Sequence, residues 1–286
     1  MKKIIVTLLC ILSTTLIFCQ PTVTRPAVTS KIVLSKGQKI IVESNITLEA
    51  NLSMGMELSS NSTSENTLEV KNSTSKNYII SSTLTKLKVN MDMMGQPTSY
   101  DSDKKEESSS DIAKTFDEKM NKPVDVTIDN TTGIAVMDDK KEKKDDNDDE
   151  NPMTGLLNMF AESTDDAIVS GAFELIPRSK GIGESWSDST VEKNHKTIRT
   201  YTLKSVTGNE ALIQLDAVTT AANKVDVQGM EMEFKSDTKT TGEIITDITT
   251  GQVKNKKTKS DITGSFQLMG QDVPITAKAS STSTYK

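Results

Sequence analysis

The stretch IIVESNITLEANLSMGMEL, Ile40 to Leu58, decides how this chain folds. Apolar or small residues take every second place, from Ile40, Val42, Ser44, Ile46 and Leu48 through Ala50 and Leu52 to Met54, Met56 and Leu58. Between most of them sit Glu43, Asn45, Thr47, Glu49, Asn51, Ser53 and Glu57. A period of two puts successive side chains on opposite faces of an extended backbone, so the stretch reads as a half-buried strand with one dry face. Fully extended at about 3.3 Å per residue it would span roughly 60 Å, far beyond a common strand. It must therefore curve strongly or break into two strands.

The same alternation returns at Leu87, Val89, Met91 and Met93, with Lys86, Lys88, Asn90 and Asp92 on the other face. It appears again at Ala211, Ile213, Leu215 and Ala217 after the turn-like VTGNE, and at Val225, Val227, Met230, Met232 and Phe234. The last stretch repeats it, with Phe266 and Leu268 before a turn and Val273, Ile275, Ala277 and Ala279 after it. One wet and one dry face is the pattern of antiparallel sheets. Met-Gly-Gln, written at Met94 to Gln96 and at Met269 to Gln271, punctuates this pattern. The second copy fits a hairpin tip, and the first fits a strand end because Pro97 blocks central pairing. The fold class expected is mainly β, a long curved antiparallel sheet or open barrel built from two related halves, with a few short helices. The helix signals are SDIAKTFDEKM, Ser110 to Met120, which stops before Pro123, and a stretch from Pro152 to about Leu175.

The organisation expected is a signal peptide over 1–19, a first β-rich half over 20–137 with a short helix near 110–120, a charged linker over 138–152, a helical connector over 153–177 and a second β-rich half over 178–286. The first segment has two lysines, an apolar run from Ile4 to Phe18 and then small and polar residues, the form of a secretory signal. Both cysteines, Cys10 and Cys19, lie in or beside it, so cleavage after Cys19 leaves no thiol for a disulfide or a nucleophile. Cys19 as a lipid-attachment residue is the alternative, with Phe18 bulky for that motif. The linker, DDKKEKKDDNDDE, has no apolar residue; Asp145, Asn147 and Asp149 alternate as in an EF-hand, but Glu150 and Leu156 replace the glycine and the closing glutamate that loop needs. The chain carries a net charge of −6, more negative still without Lys2 and Lys3, which makes it a poor partner for nucleic acid. The location expected is periplasmic, outer-membrane-associated or secreted, with no transmembrane span in the mature chain.

Three pairs of short matches point to a duplication. SKGQKI (Ser35 to Ile40) resembles GIGESW (Gly181 to Trp186), MGQPTSYDSD (Met94 to Asp103) resembles QGMEMEFKSD (Gln228 to Asp237), and DNTTG (Asp129 to Gly133) resembles DITTG (Asp247 to Gly251). IPRSKGIGESW, the Met-Gly-Gln turns and the Asp-x-Thr-Thr-Gly turn together resemble a family of secreted bacterial proteins of unknown function. That resemblance implies an envelope location and a β-rich fold, and no activity. The long curved sheet is also similar in architecture to periplasmic carriers of lipoproteins or lipids.

Catalytic chemistry is not written here. A Ser-His-Asp triad needs a histidine, and the single one, His195, stands in the polar stretch VEKNHKTIRT. No usual zinc set survives cleavage, and Glu231 and Glu233 fall on the wet side of their strand. No cofactor, metal or enzymatic activity is expected. Methionine is the unusual residue: Met54 and Met56, Met91 and Met93, and Met230 and Met232 are pairs that a strand projects to one face. They either fill the core or, with Trp186 and Phe234, line an apolar face that takes hydrophobic ligands; copper(I) binding is a further reading. The function expected is binding or carriage of a hydrophobic small molecule such as a lipid. The rival is a structural or protein-interaction module of the cell envelope.

Overall fold

The computed structural model describes residues 29–52, 56–93, 95–104, 110–137, 165–178, 180–191, 194–227, 230–268 and 271–286. The segments expected as a signal peptide and a charged linker, and most of the one expected as a helical connector, lie outside them. Twelve strands form one antiparallel sheet. The first half gives β1 (Lys39–Leu52), β2 (Met56–Ser73), β3 (Asn77–Met93), β4 (Gln96–Asp101), β5 (Pro123–Asp129) and β6 (Ala135–Met137). The second half gives β7 (Ser185–Val191), β8 (His195–Thr207), β9 (Glu210–Val227), β10 (Met230–Asp247), β11 (Val253–Leu268) and β12 (Gln271–Tyr285). Among the described residues two short helices accompany them, α1 (Ser110–Lys119) and α2 (Asp165–Gly171).

The order across the sheet is β6-β5-β3-β2-β1-β12-β11-β10-β9-β8-β7, with β4 paired to β3 beside β5. Each half is a meander, and the halves join where the first strand pairs the last, from Val42 opposite Tyr285 to Leu52 opposite Ile275. The sheet stays open, with β6 and β7 at its ends. The long alternating stretch at Ile40 resolves into the hairpin of β1 and β2, with Leu52 opposite Met56. Both Met-Gly-Gln sites fall at hairpins. Met93 pairs Gln96 and Leu268 pairs Gln271, and Gly95 has φ +78°. The first is thus a hairpin rather than a bare strand end. Pro97 is tolerated because β4 pairs β3 alone, so its missing N–H faces no partner strand.

The dry faces turn inward. Ile32 and Leu34, then Val169, Ala172, Phe173 and Ile176 around α2, form a plug at one end of the sheet. Against it pack Ile40, Val42, Leu68 and Ile80 from the first half and Leu203, Ile213 and Ile244 from the second. Since β5 and β8 contribute to one cluster, the sheet curls around the plug. Complete burial of each such side chain favours the fold by about 1.5–3 kcal/mol. At the far end Leu48, Ala50, Leu58, Met91 and Ala277 make a smaller cluster.

The paired sequence matches acquire paired geometry. Ahead of β1, Gln38 N–H donates to Ser35 O (3.0 Å), Gly37 N–H to Val70 O (2.8 Å) and Val70 N–H to Gln38 O (2.9 Å). Ahead of β7, Glu184 N–H donates to Gly181 O (3.0 Å), Gly183 N–H to Leu203 O (2.7 Å) and Leu203 N–H to Glu184 O (3.0 Å). The Gln38 and Glu184 side chains return alike to the N–H groups of Ser35 and Gly181. In the other pair, Asp129 Oδ1 accepts from the N–H groups of Thr131 and Thr132, as Asp247 Oδ1 does from those of Thr249 and Thr250. Gly133 (φ +71°) and Gly251 (φ +68°) close these turns in the left-handed region that suits glycine. The two methyl groups of Leu175 lie between them.

Candidate functional site

The two faces of the sheet differ in kind. Outward positions on β1, β2 and β3 carry Glu43, Glu49, Glu57, Glu69, Lys86 and Lys88, several of them in ion pairs such as Lys86 with Glu65 (3.0 Å) and Lys286 with Glu43 (2.8 Å). Exposed pairs of this sort add little stability; they keep the face wet. A transmembrane barrel needs the opposite arrangement, with an apolar exterior. No helix among the described residues is long and apolar enough to cross a membrane. Two open clefts, of about 510 and 570 Å³, lie among outward side chains. One is bordered by His195, Lys235 and Asp237, the other by Glu43, Glu65 and Lys88. Among the described residues, no cluster of three histidine, cysteine or carboxylate groups could hold a metal ion.

The inward face has three zones along the strands. Its plugged end and its far end are buried, while the middle keeps partial exposure. In the second half this middle zone is floored by small side chains, Ala217, Thr240, Gly242, Thr258, Ser260 and Ser281, all half-buried. Cross-strand pairing places them side by side: Ala217 opposite Thr240, Thr240 opposite Ser260, Gly242 opposite Thr258, and Thr258 opposite Ser281. At Gly242 a Cβ would stand 2.6 Å from Lys257 O, so this position has no room for a side chain. Larger groups rise beside the floor. Trp186 on β7 stacks on Tyr201 of β8 at 5.5 Å and 13°, and Arg199 Nη1 donates to Asp188 Oδ1 (3.1 Å) and Thr190 Oγ1 (3.0 Å).

Where the accessible zone meets the plug stand Glu174 and Lys256. Glu174 follows α2, with its N–H donating to Gly251 O (2.9 Å) and its carbonyl accepting from Thr246 Oγ1 (3.3 Å). Lys256 takes an inward position on β11 between Ile244 and Ser283. Protein surrounds both groups on nearly every side, yet each keeps some accessible surface, as groups in a recess do. Burial pushes the Glu174 carboxyl up to about 8, although Lys256 and Arg199 work against that rise. Burial likewise pushes the Lys256 amine down, against the pull of Glu174. The Tyr201 hydroxyl is raised by burial and by the negative charges of Glu174 and Asp188.

Of the residues singled out from the sequence, Trp186, Met91 and Phe234 are placed on this face. Trp186 lines the accessible zone. Met91 is 4 % exposed in the far-end cluster, and Phe234 is 7 % exposed. Met56, Met93, Met230 and Met232 take their places in β2, β3 and β10, and Met54 lies outside the described residues. Glu174, Arg199 and Lys256 were not singled out. Of these, Lys256 carries a signal: in VKNKKTKSDITGSF it shares its face with Thr258, Ser260 and Ile262, while Lys254, Lys257 and Lys259 are exposed.

Fold and site together describe an open antiparallel sheet with a wet exterior and a partly accessible inner face. The profile of DUF6263, a family of unknown function, matches residues 75–253, and the chain belongs to that family. No curated protein matches the chain. Among solved structures, lipovitellin, in work on its lipid–protein interactions, aligns with 89 % of this chain at 9 % identity and a TM-score of 0.48. The chain covers 25 % of lipovitellin's own length. OccK5 (OpdH) of Pseudomonas aeruginosa aligns with 89 % of this chain and 99 % of its own at 8 % identity, TM-score 0.25. An outer membrane channel from Pseudomonas putida F1 aligns with 89 % of this chain and 97 % of its own, also at 8 %, TM-score 0.26. At such scores and identities these likenesses stop short of a shared fold.

Proposed function

We propose that the protein is an exported, non-enzymatic binding protein whose curled sheet seats a hydrophobic or amphiphilic molecule, such as a lipid, on its inner face. The observation that carries this reading is the accessible middle zone between two buried ends, floored by small side chains and flanked by the Trp186–Tyr201 stack. Seven residues of β11, from Lys256 to Ile262, cover roughly 20 Å at strand rise, long enough for an extended acyl chain to lie along the floor toward the apolar far end. The methionine pairs, Trp186 and Phe234 belong to this face in the proposal, as an adaptable apolar wall. Two duplicated halves joined by the charged linker and helical connector complete the organisation, and the N-terminal segment acts as the export signal.

Native mass spectrometry of protein purified gently from its own envelope tests the reading. A co-purifying molecule bearing an aliphatic chain is the expected result; repeated ligand-free spectra would sink it. One feature favours a second reading, an envelope interaction module. The end strands carry exposed apolar groups, Val136 at 54 % on β6 and Val191 at 69 % on β7, where a partner's strand could add to the sheet. Pull-down of a stable protein partner with no bound lipid would favour it.

A further inference from the structure

The inner face holds a mixed cluster of charges that a purely apolar ligand would leave without a role. Burying charge is costly unless it is paired or used, and here Lys256 and Glu174 occupy the inner end of the accessible zone. Among the described residues, neither side chain has a hydrogen-bond or ion-pair partner. Arg199 stands close enough to act on both. Asp188, on β7, answers Arg199. Lys256 is thus faced by Glu174 from the segment after α2 and by Arg199 from β8, and Glu174 is faced in turn by Asp188 from β7 and Tyr201 from β8.

We propose that this recess receives the head of a monoanionic amphiphile, with Lys256 and Arg199 as its cationic partners and Glu174 as the group whose proton occupancy sets the affinity. The inference rests on the binding function proposed above and adds the class of head group. Charge balance selects the monoanion. Two cations face two carboxylates, so the fully ionised cluster is neutral, and it gains a single positive charge when Glu174 is protonated. A phosphate monoester, with its charge of about −1.5 to −2, would stay uncompensated. A carboxylate or a phosphodiester would be matched.

A proton balance follows. The matched complex holds neutral Glu174, charged Lys256 and a charged head. Above the Glu174 range near 8 the empty site, with Glu174 ionised, holds one proton fewer. Binding a monoanion therefore takes up one proton, and affinity falls as pH rises through the Glu174 range near 8. A neutral head brings no such dependence.

Trp186, the single tryptophan in the chain, sits beside the recess and reports occupancy by its fluorescence. Four probes are titrated into the full protein at pH 7: palmitate, its methyl ester, lysophosphatidylglycerol and hexadecyl phosphate. At least one monoanion, palmitate or lysophosphatidylglycerol, is expected to bind roughly tenfold or more tighter than the ester and the phosphate, as fits a charge-assisted contact. Whichever of the two binds better identifies the source of the head. The preference should vanish in Lys256→Met and persist in Lys256→Arg, with thermal melts confirming that both variants fold. Raising the pH from 7 to 9 should weaken the monoanion and leave the ester unchanged, and Glu174→Gln should abolish that dependence. Equal binding of acid and ester, or a preference unmoved by Lys256→Met, overturns the head-group inference and leaves the binding function standing. No binding by any of the four overturns the binding function itself.

Discussion

The two halves of the sheet part company at one strand. In the second half β10 runs unbroken for 18 residues and pairs β9 along its whole length. In the first half the same place beside β3 is shared by two strands, β4 against Lys88 to Met93 and β5 against Asn77 to Thr83. Between them the chain leaves the sheet, forms α1 and returns. Both versions end in the same Asp-x-Thr-Thr-Gly turn, so the helix is a detour within one strand position, and the ladder on either side keeps its place. A sheet tolerates such an excursion where backbone pairing resumes in register and the excursion has its own anchor. That anchor is Tyr100 of β4, whose ring lies 5.2 Å from Phe116 and whose hydroxyl donates to Asp117 Oδ1 at 2.9 Å. Burial and Asp117 push that hydroxyl's pKa up to about 12. Its counterpart, Phe234 in β10, has the same inward place and no helix to hold.

The largest effect separating the halves is expected at that anchor. Tyr100→Ala should cost about 3–5 kcal/mol, the usual loss for a buried aromatic, and should also release α1. Hydrogen exchange would show amides of 110–119 losing protection along with β4. Protection retained in α1 would mean that the helix is held by something other than Tyr100.

A smaller contrast lies at the paired turn glycines. A Cβ on Gly251 would meet Leu175 Cδ2 at 2.9 Å and Lys31 O at 3.2 Å, while one on Gly133 meets only Leu175, at 3.6 Å and beyond. Both substitutions force a left-handed backbone on a side chain, at about 1–2 kcal/mol. Gly251→Ala adds overpacking and should reach roughly 3 kcal/mol in total. Equal losses in urea denaturation would show that Leu175 yields freely on both sides.

The smallest contrast is electrostatic. Asp129 is held down to about 2 by hydrogen bonds from Thr131 and Thr132, and Asp247 is lowered chiefly by Thr249. A carboxyl lowered in the folded state adds stability above its unfolded pKa, and that contribution is lost as pH falls through the folded value. Asp129→Ala and Asp247→Ala should each lose about 1 kcal/mol at pH 7. For Asp129→Ala the gap from the parent should close as the pH approaches 2. A gap that stays constant with pH would assign the loss to backbone geometry rather than to the carboxylate.

Much of the fold was legible because period-two patterning is a local signal. Ile40 to Leu58, Leu87 to Met93 and Ala211 to Ala217 each name their dry face, and Gly95 and Gly208 mark turns. The Ser110 helix was legible from Ile112, Phe116 and Met120 spaced four apart. The pairing of β1 with β12 was not, since nothing local in Val42 or Tyr285 names a partner more than two hundred residues away. The recess was hidden for a related reason. It is assembled across β7 to β12 from small residues that look unremarkable in each strand, and a bulge at Ile245/Thr246 against β11 obscures the parity that brings Lys256 inward. Glu174 enters from outside the sheet, so no strand pattern announces it.

The seam between β1 and β12 also sets an order of events. Ile41 and Lys286 exchange both backbone hydrogen bonds at 2.9 Å, so the contact that joins the halves links residues more than two hundred positions apart. Contacts of such long sequence separation form late and slowly. As the chain is synthesised, β1 has β2 on one side and an unpaired edge on the other until β12 emerges. The two meanders can gather early, but the continuous inner face, with its floor, its cations and its apolar far end, exists only after this final clasp.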